Sequence, residues 1–73
     1  MSKLPQVSGA DLVRALTKLG FAIKRQHGSH IILRRDNPFA QTVVPNHRQI
    51  DRGTLRAILR QSDVTVEQLL GVL

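Results

Sequence analysis

Two short runs of β-branched, aromatic and basic residues, Phe21-Ala22-Ile23-Lys24-Arg25-Gln26 and Ile31-Ile32-Leu33-Arg34-Arg35, are separated only by His27-Gly28-Ser29-His30. Each run has strand length and strand composition, and Gly28 supplies the turn, so this stretch commits the chain to a β-hairpin. Counting in twos puts Phe21, Ile23 and Arg25 on one side of the first strand and Ala22, Lys24 and Gln26 on the other. On the second strand His30, Ile32 and Arg34 share a side opposite Ile31, Leu33 and Arg35. Both sides carry an isoleucine and an arginine, so alternation leaves open which face is covered. What it does place is a histidine at the start of a strand among arginines, and histidine is the side chain that exchanges a proton near neutral pH.

The rest of the chain can be read around this hairpin. Ser8 followed by Asp11 has the spacing of a capping box, and Leu12, Ala15, Leu16 and Leu19 recur at helical spacing until Gly20 closes the helix. Asp36-Asn37-Pro38 is a turn cluster, and Thr42-Val43-Val44 reads as a third strand ended by Pro45. Short connections then make an antiparallel meander. Asp51 is placed to cap a second helix whose apolar stripe is Leu55, Ile58 and Leu59, with Arg52, Arg56 and Arg60 forming a basic ridge at spacings of four. Thr65 and Gln68 repeat the capping-box spacing ahead of Val66, Leu69, Leu70, Val72 and Leu73, a short helix expected to close the core. The expectation is one α+β domain over residues 1–73: a three-stranded antiparallel sheet with helices packed on one face, plus a short C-terminal helix.

Charge narrows the partner. Eleven Lys and Arg, eight of them Arg, face five Asp and Glu, for a net charge of +6, and the arginine fork matches phosphate geometry. With two Phe and no Trp or Tyr, the composition points to a phosphate backbone rather than to stacked bases. No apolar run is long enough to cross a bilayer and no signal peptide is evident, so a cytoplasmic protein without membrane contact is expected. The absence of cysteine excludes disulfides, thiolate metal sites and a Cys nucleophile. Asp11, Asp36, Asp51, Asp63 and Glu67 are scattered, and the spacings of His27, His30 and His47 match no zinc pattern, so neither metal nor cofactor is expected.

Metal-free RNA cleavage is the reaction these parts could run, because RNA carries its own nucleophile in the 2′-hydroxyl. A neutral imidazole takes the hydroxyl proton or, when charged, protonates the leaving oxygen, while arginines stabilise the charge that builds on phosphorus. DNA, lacking that hydroxyl, would be bound and not cut. A histidine in a hairpin is more often a structural residue than a catalyst, so a non-catalytic RNA-binding module stands beside the ribonuclease, and a DNA-binding module with helix 52–61 in a groove is a third reading.

The ordered set Leu19-Gly20-Phe21, Gly28-Ser29-His30, Val44-Pro45-Asn46-His47 and Gly53-Thr54-Leu55-Arg56-Ala57-Ile58-Leu59-Arg60-Gln61 resembles the HicA (YcfA-like) toxin family over Ser8 to Leu70. The resemblance implies a double-stranded-RNA-binding-like α-β-β-β-α fold and a translation-independent mRNA interferase held in check by a HicB antitoxin. Carried over by position, it makes His30 the catalytic histidine, flanked by Gly28 and Ser29, and gives Pro45, His47 and the Gly53–Arg56 helix start structural or RNA-contacting roles. The expected RNA contacts are Gly28, Ser29, Lys24, Arg25, Arg34, Arg52, Arg56 and Arg60. A turn from Asp36 to Gln41 longer than the family's puts that loop's contacts apart from the rest.

Overall fold

Each helix begins where a side chain is available to satisfy its first amides. In the computed structural model, which describes residues 3–73, the Ser8 hydroxyl accepts from the Asp11 amide at 3.0 Å and opens α1 (Gly9–Lys18). Asp51 caps α2 (Arg52–Ser62) through the Thr54 amide at 3.1 Å, and Thr65 caps α3 (Val66–Val72) through the Gln68 amide at 3.0 Å. Both expected capping boxes are complete, with Asp11 and Gln68 accepting in return from the cap amides.

Between α1 and α2 run β1 (Ala22–His27), β2 (His30–Asp36) and β3 (Phe39–Pro45), an antiparallel sheet in the order β1-β2-β3. The meander forms as expected, with different strand limits. Phe21 lies just before β1 and is buried, with the Arg35 guanidinium 4.9 Å above its ring. The third strand starts at Phe39 rather than Thr42, because Asn37-Pro38 alone makes the turn and Asp36 pairs with Phe39.

The open question of the covered face has a clear answer. Ile31, Leu33, Ala40, Thr42 and Val44 face the helices, which contribute Leu12, Ala15 and Leu16 from α1, Leu55, Ile58 and Leu59 from α2, and Leu69 from α3. Leu12, Leu16, Leu33, Leu55 and Leu69 are wholly buried, each worth about 1.5–3 kcal/mol relative to exposure. The one buried strand hydroxyl in this layer, that of Thr42, donates to Gln61 Oε1 at 2.8 Å, tying β3 to α2.

One expectation fails. Simple alternation puts Arg25 with Ile23, yet Ile23 pairs with Leu33 while Arg25 pairs with Ile32, so Lys24 is an extra residue in a β-bulge. The bulge turns Arg25 over to the uncovered face, beside Ala22 and His27. That face also carries His30, Ile32 and Arg34 from β2, and Phe39, Gln41 and Val43 from β3.

Candidate functional site

Gly28 and Ser29 form a two-residue turn, and Gly28 takes φ 55°. Positive φ at the first central position is what a type II′ hairpin turn requires, and glycine enters it without steric cost. A two-residue turn makes His27 and His30 direct cross-strand partners. Partners in such a register project from the same face with Cβ atoms roughly 5 Å apart. Both are exposed.

The far side of His30 is held by β3. Pro45 pairs with His30, and beyond it the Asn46 amide donates to the Ser29 carbonyl at 2.6 Å. The His47 carbonyl accepts from the Gly9 amide at 2.8 Å, so the Pro45-Asn46-His47 segment is pinned between the hairpin turn and the start of α1. Gly-Ser-His and Pro-Asn-His, distant in sequence, therefore meet at one end of the sheet. The backbone approach here is close enough that a Cβ on Gly9 would lie 2.3 Å from the Pro45 carbonyl oxygen.

Charge at this end comes from Arg25, whose Nη1 lies 3.3 Å from His27 Nε2. Arg34 shares the face with His30 but stands four residues further along β2, about 13 Å at 3.3 Å per residue. Its Nε donates to Asp36 Oδ1 at 2.9 Å, so Arg34 is already engaged. Lys24 is exposed at the bulge. Arg52, Arg56 and Arg60 are all exposed on α2 and belong to the helical layer, on the other side of the sheet from the histidines. The structure thus gathers Gly28, Ser29, His30, Arg25 and His47 at one end and leaves Arg34 and the arginine ridge apart from them.

His27 is the neighbour that strand composition did not single out. Its signal was the turn length: a histidine on each side of a two-residue loop forms a facing pair. Phe39, 69% exposed, is a second residue whose setting the sequence concealed, because the strand begins three residues earlier than its composition suggests. At α2, the Asp51 carboxyl is held below the usual carboxylate range by the Thr54 hydroxyl and then by the Thr54 amide. Among the described residues no group of three or more His, Asp or Glu is placed to hold a metal ion, and no helix is long and apolar enough to cross a membrane.

Comparison with known families gives a match over residues 9–64 to the sequence model described as the HicA toxin of bacterial toxin-antitoxin systems. That span runs from the first residue of α1 to just past α2 and contains the whole sheet. No curated protein matches the chain.

Proposed function

The chain belongs to the HicA toxin family, the toxin side of a toxin-antitoxin pair, and on that premise we propose that it is a metal-independent endoribonuclease that cleaves mRNA with His30 as a proton-transfer group. The observation that carries this reading is the setting of His30. It stands on the uncovered face of the sheet, open to a large substrate, at an end fixed by the Asn46 to Ser29 hydrogen bond and supplied with positive charge by Arg25. RNA brings the 2′-hydroxyl, so the protein need only move protons and stabilise a phosphorane-like charge.

The whole chain acts as one domain in this reading, in the cytoplasm where mRNA is found. Gly28, Ser29, Lys24 and Arg25 line the approach to His30, and Arg52, Arg56 and Arg60 hold the RNA further along by its phosphates. Arg34 contributes at the far end of the same face once it exchanges Asp36 for a phosphate. Because the ridge lies on the helical layer, an RNA that touches both passes around the end of the sheet at Asn46–Arg48. The antitoxin is of the HicB type, and an acidic surface over this basic end blocks the substrate by charge and by bulk.

Substituting His30→Ala tests the reading. Cleavage of a synthetic mRNA is abolished and growth arrest relieved, while RNA binding is retained. Equal cleavage by both proteins removes His30 from the reaction, and no cleavage by wild type leaves the RNA-binding module, which the exposed arginine ridge on α2 would serve without chemistry.

A further inference from the structure

We propose that His27 is the second proton-transfer group of this site, acting as general base while His30 acts as general acid; the proposal rests on the ribonuclease reading. Phosphodiester cleavage through the 2′-hydroxyl moves two protons, and His30 can carry only one of them at a time. The hairpin register puts a second imidazole opposite the first, on the same exposed face, at a separation that lets both reach one phosphodiester.

The surroundings divide the roles. A guanidinium only donates hydrogen bonds, so the contact from Arg25 Nη1 to His27 Nε2 is accepted by a neutral imidazole. A neutral ring is the form that takes a proton. Among the described residues no side chain donates to the His30 ring, which leaves it open to carry the proton the leaving group needs. On its own strand the other charged group near His27 is Lys24 at the bulge; the Arg34–Asp36 pair stands at the far end of the same face, and the residues that β3 presents there, Phe39, Gln41, Val43 and Pro45, carry no charge.

His27 accepts the 2′-hydroxyl proton as O2′ bonds to phosphorus, the bond from phosphorus to O5′ breaks, and His30 gives its proton to O5′. The products are a 2′,3′-cyclic phosphate and a 5′-hydroxyl, with His27 left charged and His30 neutral until exchange with water resets them. Arg25, displaced from Nε2, is then placed to meet the phosphate oxygens.

The test is the pH dependence of single-turnover cleavage of a synthetic RNA by the full chain. Wild type gives a bell, rising as the base loses its proton and falling as the acid loses its own. His27→Gln lowers the maximum roughly 10²- to 10⁴-fold and flattens the acidic limb while the alkaline limb stays. His27→Asn, a shorter amide, gives the same profile, and circular dichroism confirms that both variants are folded. A substrate with sulfur in place of O5′, whose leaving group needs no proton, restores cleavage by His30→Ala and not by His27→Gln. A full bell in His27→Gln, at wild-type or reduced height, overturns the proposal and leaves His30 alone in its role; loss of the acidic limb in His47→Gln instead overturns it in favour of that histidine. Undiminished cleavage by His30→Ala is a different failure, that of His30 as a proton-transfer group, and no cleavage by wild type is the failure of the ribonuclease reading itself.

Discussion

Replacing Gly9 by alanine adds one methyl group where the chain leaves no space for it. The new Cβ would stand 2.3 Å from the Pro45 carbonyl oxygen, 2.9 Å from Asn46 Cα and 3.1 Å from the His47 amide nitrogen, all of them backbone atoms that cannot rotate away. To restore an ordinary contact of 3.4 Å, α1 and this segment must part by about 1.1 Å. That movement stretches the 2.8 Å hydrogen bond from the Gly9 amide to the His47 carbonyl. Overpacking of this kind costs about 1–3 kcal/mol, the weakened bond about 0.5–1.5 more, and the better helix propensity of alanine returns at most about 1. The net expectation is a loss near 2 kcal/mol, which for a domain of this size lowers Tm by roughly 8–16 °C. Gly71 in α3 has nothing within 4 Å of its would-be Cβ, so the identical change there stabilises by about 0.5–1 kcal/mol. Urea unfolding of both variants, with m unchanged, measures the pair of opposite signs. A Gly9→Ala midpoint at or above wild type would show that the Pro45–His47 segment is not pinned against α1, and with it would go the account of how the two histidine motifs are held together.

Two further expectations follow from charge. Arg56→Gln lowers the slope of log affinity against log salt for single-stranded RNA by about 0.7, the loss of one phosphate contact, in filter-binding or anisotropy titrations; an unchanged slope takes the α2 ridge out of the interface. Because Thr54 holds the folded Asp51 carboxyl below its unfolded value, this cap stabilises the protein above the unfolded carboxylate range near pH 4 and the contribution is lost as pH falls through the lower, folded value. Acid unfolding of Asp51→Asn, compared with wild type, therefore shows less loss of stability below pH about 4; parallel curves would contradict the cap's titration.

Much of this architecture is legible in the sequence because it is local. Ser8 with Asp11, Asp51, and Thr65 with Gln68 announce helix starts within a single turn, and the stripe Leu55, Ile58, Leu59 announces which side of α2 is buried. The sheet is harder, since its faces are set by pairing across the chain. Ile31 and Ile32 are equally apolar, and only packing against Leu12, Leu16 and Leu55 decides that Ile31 goes inside. The bulge at Lys24 leaves no mark in composition, which is why period-two counting assigns Arg25 to the wrong face. The Gly28-Ser29-His30 motif is visible at once, whereas its meeting with Pro45-Asn46-His47 depends on the β2–β3 register.

That same bulge bears on how such a chain keeps to itself. β1 is an outer strand of the sheet, six residues long, and the outward amides and carbonyls of such a strand are a template on which another copy could add a strand. Lys24 interrupts the ladder midway with an unpaired, charged residue, and Arg25 follows it directly. A second molecule approaching in register would meet a kinked backbone and like charge at its centre. The irregularity that delivers an arginine to the histidine pair therefore also guards against strand-to-strand aggregation, so that straightening it by deleting Lys24 would expose a continuous edge and shorten the soluble lifetime of the folded protein.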